Sequence, residues 1–321
     1  MFRTPILIIN FNRPDFTRKV MEAVMNLPPS ELFVFQDGPR KGKDDKPLLE
    51  EVRVIIKEMT DGTDTHVHTN YSSTNLGCGP GPATALTWFF SNVEEGIILE
   101  DDAIPHPDFF EYAAELLEKY RNNPSVKAIG SMNVDKQKWG DGSYYFSMMN
   151  RNLCSWATWK RAWQSFDIRL KRTSRFDLAH ALQKYGCSIL EREYWCDRLD
   201  EVHKDGVGNS SWDMQFFMSV WLQHGKGIIP NVNLSSNIGT VTNATHPLGK
   251  GNIIENIPTN PILPLKHPSS EEIMSEADRQ FHFMYFEPNH KNWTRGRVFR
   301  YLVNKRIKKT IGHKGPWRKK R

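Results

Sequence analysis

The chain has 321 residues, 39% of them apolar, with 10 Trp, 18 Phe and 9 Tyr; that is too apolar for a disordered chain and enough to bury a core as one large domain or two modest ones. Of its 43 Lys and Arg, 13 fall in residues 291–321, which hold no Asp or Glu, and the other 30 meet all 37 acidic residues, so the body carries −7 and the tail supplies the whole +6. An acidic body argues against nucleic acid as its partner. No apolar run approaches the roughly 20 residues of a bilayer span, and the amino terminus lacks a basic region followed by a long apolar one, so a cytoplasmic protein is expected. Cys78, Cys154, Cys187 and Cys196 show neither paired metal spacing nor disulfide density and read as reduced structural thiols.

Thr4 to Asn10 is a continuous apolar run suited to a buried parallel strand, and helical spacing from Asp15 to Met25 follows it. Glu31 to Gln36 is a second buried strand ending at Asp37-Gly38-Pro39. A charged helix from about Leu48 to Met59, a strand His66 to Tyr71, the loop Gly77 to Pro82 and a helix to about Val93 come next. Gly96-Ile97-Ile98-Leu99 then delivers Glu100, Asp101 and Asp102 consecutively from an apolar strand. Alternating strands and helices predict an α/β fold with a mostly parallel central sheet, and loops at the carboxyl ends of such strands frame the crevice where ligands bind.

Adjacent carboxylates repel, and a divalent cation holding a diphosphate relieves them: hard oxygens suit Mg²⁺ or Mn²⁺, and phosphates complete the coordination shell. The triplet therefore points to a nucleotide-sugar enzyme, with a solvated acidic loop as the plain alternative. Asn10-Phe11-Asn12-Arg13-Pro14, Asp37 and the loop Asn75 to Gly81 each follow a strand and converge on the same edge. Asp37 could accept hydrogen bonds from a base or ribose, Arg13 could meet phosphate oxygens, and the glycines permit close backbone approach. Asp-Gly-Pro and Gly-Pro-Gly-Pro are equally ordinary turn formers.

Further along, Trp156, Trp159 and Trp163 recur at helical spacing, which predicts a packed face with Trp156 alone at the cleft. The charged stretch from Glu191 to Ser211, with Gly206 and Gly208, reads as a lid over the donor or as surface loop. Residues 251–290 carry Pro258, Pro261, Pro264 and Pro268 ahead of the apolar segment Phe281 to Phe286, as expected of a segment wrapping back onto the core. In the tail, Val298, Phe299, Leu302, Val303 and Ile307 recur among Arg and Lys as in a basic amphipathic helix on an anionic membrane surface; a solubilising terminus is the alternative.

Phe11-Asn12-Arg13-Pro14, Asp37-Gly38, Asn75-Leu76-Gly77-Cys78-Gly79 and Ile97 to Asp102 followed by Pro105 and Pro107 resemble the nucleotide-binding half of bacterial GT-A fold glycosyltransferases. These are Rossmann-like nucleotide-diphospho-sugar transferases. The triplet is similar to the Glu-Asp-Asp form of the Asp-x-Asp motif in N-acetylglucosaminyltransferase I. Ser143 to Ser147, Trp156 to Trp159, Ser211-Trp212-Asp213, Pro230 to Leu234, Ser236 to Gly239 and Ala244-Thr245-His246 are similar to the second half of that group, so the resemblance runs from about residue 3 to 290. Pro80-Gly81-Pro82 departs from the pattern, removing backbone donors and side-chain charge from the donor loop.

The resemblance implies a nucleotide-sugar-binding half over 1–105 and an acceptor-binding and catalytic half over 106–250; composition and charge add the wrapping segment 251–290 and the basic tail 291–321. It implies Mn²⁺ or Mg²⁺ on Asp102 with His246 as a second ligand, and Glu100 and Asp101 against ribose, sugar or metal-bound water. Asn10, Asn12, Arg13, Asp37, Asn75, Gly77 and Trp156 would line the nucleoside-diphosphate sugar. Asp213 would be the general base that takes a proton from a hydroxyl of a glycan or lipid-linked saccharide acceptor, with inversion. A sugar-nucleotidyltransferase, which makes a nucleotide sugar instead of consuming one, is the alternative; a non-catalytic glycan- or nucleic-acid-binding protein is another.

Overall fold

The runs Ile6–Ile8, Leu32–Phe35 and Ile97–Leu99 form strands buried on both faces, and the computed structural model places them within one eight-stranded sheet. Residues 1–149, 154–205, 212–239, 255–287 and 295–311 are described. The first half runs β1 (Ile6–Asn10), α1 (Pro14–Met25), β2 (Glu31–Gln36), α2 (Lys46–Thr60), β3 (His66–Tyr71), α3 (Pro80–Asn92) and β4 (Glu95–Glu100). A short β5 (Ala103–Pro105), α4 (Asp108–Tyr120), β6 (Val126–Gly130), β7 (Tyr144–Ser147), β8 (Ser155–Trp159) and α5 (Lys160–Trp163) follow. Then come α6 (Arg175–Lys184), α7 (Ile189–Asp205), α8 (Asp213–Leu222), β9 (Lys226–Pro230), β10 (Ser235–Asn237), α9 (Ser275–Tyr285) and α10 (Arg295–Ile311).

The sheet order is β3-β2-β1-β4-β8-β6-β9-β7. β1 to β4 pair in parallel, β8 lies antiparallel between β4 and β6, β9 is parallel to β6, and β7 is antiparallel at the edge. The sheet is thus mostly parallel and crosses residue 105 without a break, so both halves of the chain share one core. Period-two alternation splits that core cleanly. Ile6, Ile8, Val34, Ile97, Leu99, Ala157 and Trp159 pack with α1, α2 and α4 on one face. Leu7, Phe33, Phe35, Ile98 and Trp156 pack with α3 and α8 on the other. Each fully buried Ile, Leu or Phe contributes on the order of 1.5–3 kcal/mol.

Two expectations change here. Trp156 and Trp159 lie on strand β8, not on a helix, so they point to opposite faces, and Trp156 has no exposed surface. It stacks on Trp212 at 5.7 Å and leans on Phe216, which removes it from the cleft. The charged stretch after Glu191 is no loose lid as far as Asp205: it is helix α7, anchored by buried Trp195, Cys196 and Leu199 and by Arg175, which pairs with Glu193, Asp197 and Asp200. Gly206 and Gly208 lie outside the described residues.

Residues 255–287 return to the body. The backbone amides of Ile262 and Leu263 donate to Asp108, and Lys266 and Ser143 exchange hydrogen bonds. Asp278 on α9 accepts from the Ser147 hydroxyl and the Met148 amide. Within the basic tail, Arg295–Ile311 form helix α10; Phe299 and Val303 are exposed on it, while Lys305 pairs with Glu193 and Asp197 of α7. No helix among the described residues is long and apolar enough to cross a membrane.

Candidate functional site

Parallel pairing of β1, β2, β3 and β4 brings their carboxyl ends to one edge, with Ile9 beside Glu100 and Asn10 beside Gln36. The acid triplet sits there as the tip of β4. Two of its carboxylates meet on one nitrogen of Arg13. Asp101 accepts from the Phe11 amide at 3.3 Å and meets Arg13 at 3.3 Å, while Asp102 takes Arg13 at 2.9 Å. Arg13 therefore faces the acids instead of an open phosphate pocket.

A second, two-stranded sheet supports the tip from below. β5 pairs antiparallel with β10, and the Ile238 amide donates to the Asp102 carbonyl at 2.9 Å. Asn237 donates to Cys154 Sγ at 3.2 Å and approaches Asp102 Oδ1 at 3.5 Å, and its own Oδ1 accepts from the Gly239 amide. A Cβ at Gly239 would lie 2.0 Å from Asp102 Oδ2, so only glycine lets the carboxylate rest there. Asn237, Gly239 and Cys154 were not singled out as site residues in the sequence. The adjacency of β5 to the triplet was the available clue, but its pairing partner lies about 130 residues away.

Among the described residues, Arg13 is the one cation paired with the tip. Burial raises Asp101 to about 7, against the pull of Arg13. Burial, followed by the charges of Asp102, Asp101 and Asp213, holds Glu100 well above the usual carboxylate range. Burial, followed by the charges of Glu100 and Asp102, pushes the Cys154 thiol up. One guanidinium does not neutralise three acids, and oxygen donors alone are the set that a hard divalent cation accepts. The donor set fits Mg²⁺ or Mn²⁺, with few protein ligands and the remaining positions left to water or phosphate.

Asp213 opens α8 immediately after Trp212. Its charge is felt at Glu100, at Cys78, and at Tyr194 and Tyr285, which puts it in the neighbourhood of the tip and of α9. Burial first and then Asp213 raise the Tyr285 phenol to about 12. Tyr285 and Tyr194 are further residues of this wall, visible in the sequence only as two aromatics among many.

The remaining sequence candidates divide. Both Asp37 oxygens are taken: Oδ1 by the amides of Gly38 and Leu76, Oδ2 by Asn75 and Gly77 at 3.0 Å. Four donors fill a carboxylate, so the turn reading prevails at Asp37, which pins the Asn75–Gly77 loop instead of meeting a base. Asn75 spends its amide on Asp37 and Gly38, and Gly77 sits at φ +80°, where glycine is favoured. Asn12 donates to Asp45 at 2.8 Å. Asn10 keeps its place at the end of β1; its buried side-chain amide has no partner among the described residues, which is costly unless something else supplies one. His246 lies outside the described residues.

Asp45 gives a testable electrostatic anchor under the Asn12 loop. Arg40 grips it through two nitrogens, at 3.0 and 2.6 Å, and holds it at about 2 against an ordinary 3.8. A carboxyl whose folded pKa is depressed stabilises above its unfolded pKa and loses that stability as pH falls through the folded one. Urea unfolding should therefore show a gap between wild type and Asp45→Asn of about 1–2 kcal/mol at pH 6, reduced because Arg40 is half exposed, and closing between pH 4 and 2. A gap constant with pH would assign the loss to packing.

No family model matches the chain, and no curated protein matches it. Among solved structures it is similar to 4-diphosphocytidyl-2C-methyl-D-erythritol synthase of Anaerococcus prevotii, at 14% identity over 51% of this chain and 75% of that one, with a TM-score of 0.31. It is also similar to a UDP-glucose pyrophosphorylase complexed with UDP-glucose, at 9% identity over 71% and 89%, with a TM-score of 0.38. Neither is a glycosyltransferase of the N-acetylglucosaminyltransferase I type. At these TM-scores the similarity decides neither the reaction nor the substrate.

Proposed function

We propose that the chain is a metal-dependent transferase of nucleoside-diphosphate sugars, with the Glu100–Asp102 tip as the cation and diphosphate site. The observation that carries this reading is the tip itself: three consecutive carboxylates, of which Asp101 and Asp102 share the one Arg13 guanidinium while Glu100 feels the charge of a fourth acid, Asp213. Bound there, Mn²⁺ or Mg²⁺ would offset the charge of the departing diphosphate. Asp102, held by Asn237 beside Gly239, would be the residue that holds the cation, and Glu100 and Asp101 would bond ribose, sugar or water there. Arg13 is freed for phosphate oxygens once the acids have another counter-ion. Asn10 offers its unpartnered amide to the same ligand.

In the transfer itself, the bond between the anomeric carbon and the diphosphate oxygen breaks as the acceptor oxygen bonds that carbon. The acceptor proton passes to Asp213, and the nucleoside diphosphate leaves with the bonding pair. A single displacement of this kind inverts the anomeric centre. Tyr285 and Tyr194 line the side from which a saccharide acceptor, glycan or lipid-linked, approaches. The exposed Phe299 and Val303 among the basic residues of α10 suit an acceptor at an anionic membrane face.

The second reading is nucleotidyl transfer, the activity named for the similar solved structures. The same tip would then bind a nucleoside triphosphate and a sugar phosphate. A thermal-shift screen with and without Mn²⁺, followed by product assay, separates the two. A ligand at 100 times its Kd stabilises by about 2.7 kcal/mol. A Mn²⁺-dependent shift with a nucleoside-diphosphate sugar, and sugar moved to acceptor or water, supports glycosyl transfer. Pyrophosphate released from a triphosphate and a sugar 1-phosphate would replace it with the second reading. No metal-dependent shift with any nucleotide ends both.

A further inference from the structure

At the amino end of the same sheet, away from the crevice, β2 and β3 pair so that Glu31 lies beside His66 and Phe33 beside His68. His66 and His68 are two apart on one strand and so share a face. Glu31 Oε2 is 2.6 Å from His68 Nε2 and 3.5 Å from His66 Nδ1, and the two imidazole centroids are 4.2 Å apart. One ligand atom from each of the three residues lies within 4.8 Å of the others, the one such convergence of His, Cys, Asp or Glu among the described residues. The His68 ring is fixed from behind: it stacks on buried Phe33 at 4.3 Å and 12°, and Phe33 is itself held edge-on by Trp88 and Phe89. Among the described residues neither imidazole has a polar side-chain partner other than Glu31.

We propose that Glu31, His66 and His68 form a binding site for a borderline divalent transition ion, of which Zn²⁺ is the representative. Two imidazoles and one carboxylate are a donor set that favours Zn²⁺, Cu²⁺ or Ni²⁺ over Mg²⁺ or Mn²⁺, so the site is chemically distinct from the acid tip. Zinc bonds of about 2.0–2.2 Å in tetrahedral geometry put neighbouring ligand atoms roughly 3.3 Å apart. The observed 2.6 and 3.5 Å from Glu31 to the two imidazole nitrogens bracket that spacing, and all three ligand atoms lie within 4.8 Å of one another. Three protein ligands leave a fourth position open to solvent. An ion there ties the edge strand β3 to β2 through side chains, where the sheet otherwise ends in an exposed margin.

The test is calorimetric titration of the full chain with Zn²⁺, paired with melting temperatures in Zn²⁺ and in EDTA, for wild type, His66→Ala, His68→Ala and Asp102→Asn. Each histidine variant should lose at least about tenfold in Zn²⁺ affinity at this site and the Zn²⁺-dependent rise in melting temperature, while Asp102→Asn keeps both. His66 is largely exposed, so its alanine variant should melt like wild type in EDTA and report the ion alone. Co²⁺ substitution adds a visible absorption band that the histidine variants should lack. Equal Zn²⁺ isotherms in wild type and both histidine variants, or no Zn²⁺ binding by wild type, overturn the proposal. Asp102→Asn tests the transferase reading separately, so failure of one leaves the other standing.

Discussion

Asp213→Asn should retain Mn²⁺-dependent donor binding and lose about 10²–10⁴ in turnover, the usual cost of removing a general base. The amide matches the carboxylate in shape, so KM for the donor should hold while kcat falls. Asp213 is also the first residue of α8, where any acid gains a few tenths to about 1 kcal/mol from the helix dipole. That second role predicts a different outcome: a small drop in melting temperature with turnover within a few fold of wild type. The two are read in one experiment, because steady-state rates and thermal melts respond to opposite roles. If donor affinity collapses together with the rate, Asp213 belongs to the donor side of the crevice and the acceptor base must be sought elsewhere.

The parallel half of the sheet was legible because its signal is local. β2 and β3 have the predicted bounds, and β1 and β4 differ by one or two residues. The convergence of loops at their carboxyl ends follows from parallel topology alone. The second half was less readable. The antiparallel insertion of β8 between β4 and β6 depends on partners 30 to 60 residues distant, and Trp156, Trp159 and Trp163 happen to fit a helical period although two of them lie on a strand. A short run of large aromatics fits both periods, and only the pairing decides.

At the site, what was legible was which residue types meet, not which atoms they spend on one another. Asp37, Asn75 and Gly77 do come together after β2 and β3, but they satisfy one another. Arg13 is the cation that pairs with the acids among the described residues. Side-chain commitments of this kind depend on a few ångströms of loop geometry, to which residue spacing is blind. The same holds for the tail. Its amphipathic helix was predictable from period and charge, whereas the pairing of Lys305 with α7 was not.

Gly239→Ala should abolish the Mn²⁺-dependent thermal shift and reduce turnover by about 10²-fold or more, the scale on which ångström-level misplacement of a reacting group acts. The added methyl would stand 2.0 Å from Asp102 Oδ2 and 2.6 Å from its Cγ, so either the carboxylate turns away or β10 moves. Both weaken the bracket formed by β5, β10 and Asn237 that aims Asp102 into the crevice. The loss should be local: β1 to β4 and their two packed faces are untouched, and far-ultraviolet circular dichroism should match wild type. Asp102→Gly in the Gly239→Ala background supplies the control, since the clash disappears with the carboxylate. That double variant should regain any lost melting temperature but no metal response. If it instead regains the metal response, the cation rests on Glu100 and Asp101, and Asp102 is the supporting group.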